Sequence, residues 1–263
     1  MFTRELKFNL KSFILWTSCL IVLCLLVFML YKSIISGDSI EKINEAMSAF
    51  PPDVLKMFNL DISNIDSAYG WLKTEGIVFI MIISGMFSAV LGINLLLKEE
   101  DEKTVEYMMS LPITPKSVMI KKFVVGIIYI TAMIIILTIF NLVALSLTGE
   151  FKVGEFILMS VTPLMPSFVI YSLCMFISTF THKTKKVFSL SLGIVFVSYF
   201  LYAVSQMNEK VEFLKYFSVF TLADTRNIIT NLTVNPICII VFVILFALLS
   251  LGTYYRYTTK EYL

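Results

Sequence analysis

KEEDEKTVEYMMSLPITPKSVMIKK, residues 98–122, is the longest hydrophilic run in a chain that is otherwise mostly apolar, and its reading decides the fold. Five acids and five lysines surround a short apolar patch and two prolines. Working outward from it, both flanks are apolar stretches long enough to cross a bilayer. A helix needs about 18–25 residues to span hydrocarbon about 30 Å thick. Six stretches qualify, near 13–31, 77–97, 123–147, 156–180, 187–204 and 236–254. Composition points the same way: 58% of residues are hydrophobic, 15% are charged and the mean hydropathy is +0.86. A soluble domain has roughly 45–50% apolar and about 25% charged residues. The expectation is an all-α membrane protein, one transmembrane domain over 1–263 with six transmembrane helices.

Six spans put both ends on one side, and the basic residues say which. Residues 1–12, 98–122, 181–186 and 255–263 hold 3, 5, 3 and 2 lysines and arginines, 13 of the chain's 21. The positive-inside rule then makes both termini and residues 98–122 cytoplasmic. The first span follows Arg4, Lys7 and Lys11 but is too long for a signal core and lacks a small-residue cleavage site, so an uncleaved anchor is expected. The net charge of +2 is too small for a nucleic-acid binder. Cys19, Cys24, Cys174 and Cys238 all lie in apolar runs without a CxxC pair, and read as reduced thiols packing as small hydrophobes.

The spans are informative by omission. Within these boundaries none holds an Asp, Glu, Lys, Arg or His. Ion-coupled carriers need ionisable groups at membrane depth, so transport would draw its energy from elsewhere. Ser84, Ser88 and Gly92 form a small-residue ridge on the second span, a seam within the bundle or between two copies. With Asn94 and Asn141 they are the candidate pathway or dimer-seam residues. Pro163 and Pro166 should kink the fourth span. Residues 32–76 form an extracellular loop with amphipathic helices: Asp38 and Glu41 read as a capping box, followed by Ile40, Ile43, Met47 and Phe50 on one face until Pro51-Pro52. Residues 205–235 are too charged to span and too apolar to be a free tail, which suits a re-entrant or interfacial hairpin. Lone His182, in the basic loop THKTKK, gives no support for a metal site.

Residues 98–122 read as a device rather than a spacer. Lys98 to Met109 has helix-forming composition, with Glu99 and Lys103 as a favourable i,i+4 pair. Val105, Met108 and Met109 make an apolar patch, and Ser110-Leu111-Pro112 stops the helix. Thr114-Pro115 starts another, with Thr as N-cap and Pro first, which runs through Lys121-Lys122 into the third span without a flexible break. Force on such a unit would pass into the membrane helix.

This segment resembles the cytoplasmic coupling helix of ABC-2-type export permeases. That motif has an acidic pair, Gly-Thr-x-Glu, two aliphatics, Ser-x-Pro-Ile and a lysine some nine residues on. Here Glu100 and Glu102 match the acids, Thr104 and Glu106 the T-x-E, Met108-Met109 the aliphatics, and Ser110, Pro112, Ile113 and Lys121 or Lys122 the rest. Lys103 replaces the usual Gly. The position between spans two and three, the long first outer loop and the semi-apolar loop before span six extend the likeness along the whole chain. The resemblance implies an ABC-2 (type V) exporter-like fold, two six-span subunits (a homodimer, or a heterodimer with a paralogue), and a coupling helix docked on each of two copies of a cytosolic ATPase. Met108, Met109, Leu111 and Pro112 would then supply docking surface, while Glu106 and the Glu99–Glu102 cluster would meet basic groups on the ATPase.

No GxxxxGK[ST] phosphate loop occurs in the chain, so the protein is expected not to be an enzyme and to bind no cofactor itself, with ATP and Mg held by the partner. The localisation implied is a Gram-positive plasma membrane, and the cargo an antimicrobial or phenol-soluble-modulin-type peptide. Lipid, lipid-linked glycan and hydrophobic drug export stand as alternatives, as does a non-transporting membrane scaffold or sensor.

Overall fold

The computed structural model of the chain describes residues 2–35, 50–51, 54–55, 67–104, 114–148, 151–181, 184–223 and 233–259. They form α1 (Phe2–Ile35), α2 (Ala68–Trp71), α3 (Ile77–Asp101), α4 (Pro115–Ser146), α5 (Val153–Val161), α6 (Leu164–Ser178), α7 (Thr184–Ser205) and α8 (Pro236–Thr259). One π-helical turn, Leu72–Gly76, joins α2 to α3. No strand occurs among the described residues. Among the described residues six helical segments are long and apolar enough to cross a membrane: Phe2–Tyr31, Ala68–Asp101, Pro115–Ser146, Val153–Ser178, Val187–Ser205 and Pro236–Thr259. The all-α, six-span expectation is met.

Several helices outrun the hydropathy windows. At 1.5 Å per residue, α4 with its 32 residues is roughly 48 Å long, well beyond the hydrocarbon thickness. Its first two turns therefore project past the apolar core. This end, where α1 begins, α3 stops and α4 starts, is called the base below.

α3 is the central helix: most of its apolar window is buried, whereas almost none of the α8 window is. Lipid tails are as apolar as leucine, so burial of apolar surface does not drive association in a bilayer, and close backbone approach does much of the holding. The small-residue ridge supplies that approach. A Cβ on Gly92 would come within 2.8 Å of the Tyr171 carbonyl oxygen of α6. Ser167 of α6 donates to the Ser84 hydroxyl at 3.1 Å, and Ser84 and Ser88 are fully buried. Ser84 and Gly92 of the ridge thus face α6 within one chain, and the Ser88 hydroxyl donates to the Ser84 carbonyl at 2.7 Å.

The fourth span is two helices rather than one kinked rod. α5 ends at Val161, Thr162 and Pro163 make the joint, and α6 starts at Leu164. Pro166 falls in the first turn of α6, where a missing N–H is tolerated.

The segment after α7 returns to the bundle as two 3-10 helices, Glu212–Phe217 and Val219–Ala223. Ser218 Oγ donates to the Ser198 carbonyl at 2.6 Å, and the Val219 N–H donates to Ser198 Oγ at 2.9 Å. Phe220, fully buried, reaches Gly85 of α3. The capping box at Asp38 and Glu41, the apolar face through Met47, His182 and most of residues 52–66 lie outside the described residues.

Candidate functional site

The base of the bundle assembles four helices around one charged side chain. α3 ends on a backbone rule. Lys103 has φ of 53°, the left-handed region that favours glycine. The Thr104 N–H donates to the Glu99 carbonyl at 2.9 Å and the Lys103 N–H to the Glu100 carbonyl at 3.3 Å. Those two bonds are a Schellman turn, which satisfies the last carbonyls of a helix. Continuous helix from Lys98 to Met109, expected from composition, is therefore corrected: the chain turns at Lys103, at the position where the resembled motif carries Gly.

α4 starts as cleanly. Thr114 is extended, its hydroxyl accepts from the Ser117 N–H at 3.3 Å, and Pro115 takes the first helical position. From there Val118, Met119, Lys122, Val125, Gly126, Tyr129, Ile130 and Met133 follow one helical stripe, all buried. Lys122 is the lone cation in it, with no exposed surface. Its Nζ donates to Glu99 Oε2 at 2.5 Å and to the carbonyl of Leu95, one turn earlier on α3. The expected Glu99–Lys103 pair is corrected accordingly. Glu99 turns inward, 3% exposed, and is not available to a partner's basic rim.

Two further helices close on this pair. Arg4 of α1 lies 3.6 Å from Glu99 Oε1 and 3.4 Å from Glu5 Oε1, and Glu5 is itself buried. Tyr129 of α4 donates to the Leu6 carbonyl of α1. Tyr171 of α6 donates to the Lys122 and Phe123 carbonyls at 3.3 and 3.2 Å. Its ring fills the space that Gly126 leaves open; a Cβ there would sit 2.2 Å from the tyrosine Cζ and Oη. Arg4 and Lys122 balance Glu5 and Glu99 within the cluster, which is what burial of charge requires.

Of the residues singled out for coupling, Glu100 is half-buried on the last turn of α3, Glu102 is its exposed C-cap and Thr104 closes the Schellman turn. Glu106, Met108, Met109, Leu111 and Pro112 lie outside the described residues. Asn94 is half-buried on α3, and Asn141 of α4 is buried beside Cys24 of α1. Neither they nor the serine ridge line the cavity of about 820 Å³ at the opposite end, whose walls include Tyr202, Glu212, Lys215, Val241 and Leu245.

A second buried ion pair joins Lys73 of the π turn to Glu155 of α5 at that far end, with the Tyr69 ring centroid 4.6 Å from the ammonium. Neither pair was foreseen from the sequence, because hydropathy windows end where charges begin. Helical register held the signal for the first: counting from Pro115 puts Lys122, not Lys121, in the apolar stripe, and Glu99 continues the Ser88, Gly92, Leu95 face.

The family model described as ABC-2 family transporter protein matches residues 2–262 of the chain. No curated protein matches it significantly.

Proposed function

Since the chain belongs to the ABC-2 transporter family, whose membrane permeases are not themselves ATPases, we propose that it is the membrane half of an ATP-driven exporter, working beside a separate cytosolic ATPase. Two copies of the chain, or this chain and a paralogue, would form the pathway, and each would dock one of two ATPase copies carrying ATP and Mg. The base of the bundle faces the cytoplasm on this reading, as the bias of basic residues favours.

The observation that carries the coupling role is the unbroken helix Pro115–Ser146, capped by Thr114 at the edge of the 105–113 segment. A push on that segment has no hinge to dissipate it before α4 enters the membrane. Met108, Met109, Leu111 and Pro112 supply the contact surface, and Glu100, Glu102 and Glu106 set its register against basic groups on the ATPase.

The cargo favoured is an amphipathic or apolar peptide of the antimicrobial or phenol-soluble-modulin class, exported from a Gram-positive cell. It rests on the Phe- and Met-rich composition of the chain, which holds 23 and 14 of these residues. Lipid or a hydrophobic drug would meet the same surfaces, and stimulation of ATP hydrolysis by each candidate ranks them.

The docking claim is tested by pull-down of the ATPase on wild type and on Glu106→Lys/Met109→Asp. The double variant should lose binding and permease-dependent hydrolysis together. Retention of both would remove the coupling role from this segment.

A further inference from the structure

Lys122 presents more than a buried charge that has found a partner. It bonds two acceptors one turn apart on α3, the Glu99 carboxylate and the Leu95 carbonyl. One acceptor would leave α4 free to slide or roll on α3; two fix both the axial register and the rotation. The distinction matters in a bilayer, where apolar helices gain little from one sliding position over another. Stability alone is a poor reason for such a pair, because apolar residues of similar volume commonly serve a fold as well or better. Position supplies a better reason. Glu99 is three residues before the C-cap Glu102, and Lys122 is eight after the N-cap Thr114. The pair therefore bridges the two flanks of the polar connection at the point where both helices enter the bundle.

The neighbouring groups extend the bridge. Arg4 spans Glu99 and Glu5, which brings the first turn of α1 to the same point. Its side chain is 55% exposed, whereas those of Lys122, Glu5 and Glu99 are nearly or wholly buried. Tyr171 holds the Lys122 turn from the α6 side through two backbone carbonyls.

We propose that Glu99 and Lys122 clamp the two flanks of the 102–114 connection into one rigid lever, and that Arg4 fastens the start of α1 to it, so that a push on the connection reaches α1, α3 and α4 together. The lever's use rests on the coupling role proposed above; its rigidity does not. Glu99 and Lys122 are positioning residues, since they act on the connection through helix geometry and touch neither nucleotide nor cargo. Among the described residues Lys122 pairs with Glu99 alone, and the other cation at Glu99 is the largely exposed Arg4 at 3.6 Å, so on this proposal the pair stays closed through the cycle.

The test measures rigidity directly. Spin labels go on Asp101→Cys and Lys116→Cys, both exposed, in the full chain reconstituted in lipid nanodiscs, with Cys19, Cys24, Cys174 and Cys238 replaced by Ala. With the labelled chain diluted in unlabelled chain, so that an assembly carries at most one labelled copy, pulsed dipolar spectroscopy should give one narrow distance that ATP and Mg, with the ATPase bound, leave unbroadened. Lys122→Met should broaden it. Glu99→Leu/Lys122→Met, which restores packing without the two-point bond, should fold as a monodisperse protein and still show the broad distribution. Arg4→Gln should leave that pair narrow and broaden a Lys7→Cys/Asp101→Cys pair instead. With the ATPase present, the double variant should still capture it yet lose permease-dependent hydrolysis about tenfold, a coupling loss on the scale of one allosteric link. Equally narrow distributions in wild type and double variant would overturn the clamp. So would full hydrolysis in a double variant whose distances are broad. If wild type captures no ATPase while the distances behave as stated, the clamp stands and the exporter reading falls.

Discussion

The two buried ion pairs sit at opposite ends of the same bundle and differ in what surrounds them. Glu99–Lys122 at the base has a second cation, a second carboxylate and a backbone carbonyl within reach. Lys73–Glu155 at the far end is ringed by Tyr69, Phe151 and Phe156, whose rings pack on one another with centroids 5.7–6.4 Å apart. The first is a crossing point of helices α1, α3, α4 and α6. The second ties the start of one span to the start of another and stops there. Side-chain exposure differs too: Lys122 has none, while Lys73 retains 10%. Water can come to Lys73 if its partner is lost, but not to Lys122. Similar chemistry therefore makes a multi-helix hub in one place and a local staple in the other.

The largest expected effect breaks the comparison at its strongest point. Glu99→Gln leaves a cation at zero exposure, and removal of one partner from a buried pair costs about 3–5 kcal/mol. Glu155→Gln strands a lysine that keeps an aromatic face and a path to water, so its cost falls nearer the roughly 1–3 kcal/mol of an unsatisfied polar group. Thermal unfolding of the purified variants in one detergent should order them so. The reverse order would make the far-end pair the more deeply committed of the two.

Next in size is the packing around each pair. Gly126→Ala places a methyl in the Tyr171 ring at the base, and overpacking of this kind costs about 1–3 kcal/mol. On α7, Gly193 has nothing within 4 Å of where its Cβ would be. Gly193→Ala should therefore gain about 0.5–1 kcal/mol from helix propensity alone. The two glycine variants, measured by the same unfolding assay, separate a glycine that admits a neighbour from one that merely sits in a helix. Loss of stability at both would show Gly193 to be covered by something further, such as a second chain.

The difference between the two ends also shows what the sequence could carry. Spans are legible because hydropathy is local and additive along a helix. The α4 start is legible because Thr114-Pro115 states its own cap. The α5–α6 break was half legible: the prolines announce a disturbance, but whether a helix bends or stops depends on what receives the freed carbonyls. The ion pairs were hidden for a different reason. A lysine at the end of an apolar run reads as the end of a span, and only its register against Val118, Val125 and Tyr129 shows it facing inward. Lys73 and Glu155 lie 82 positions apart on separate helices, and no local pattern joins them. Phe220, which carries the post-α7 segment into the bundle, looked like one more aromatic in a semi-apolar loop.

The smallest effect concerns the edge of the base cluster, at Lys103. A left-handed backbone costs a residue with a Cβ about 1–2 kcal/mol, while glycine there gives back part of that through its greater freedom when unfolded. Lys103→Gly should thus stabilise the chain by about 0.5–1 kcal/mol, and a β-branched Lys103→Val should destabilise it by a comparable amount. The pair of variants separates two roles for the turn. If the Schellman bonds at Glu99 and Glu100 aim the connection, the glycine variant keeps the Asp101–Lys116 distance narrow, because glycine takes the same backbone shape more easily, and the valine variant shifts it. If the lysine side chain held the turn, the glycine variant would be the one to lose its narrow distance. Lys103 is exposed and its ammonium is not needed for either hydrogen bond, so the first outcome is expected. It would place the rigidity of the base in the α3 backbone and the Lys122 clamp, with the surface charges of the connection left to meet a partner.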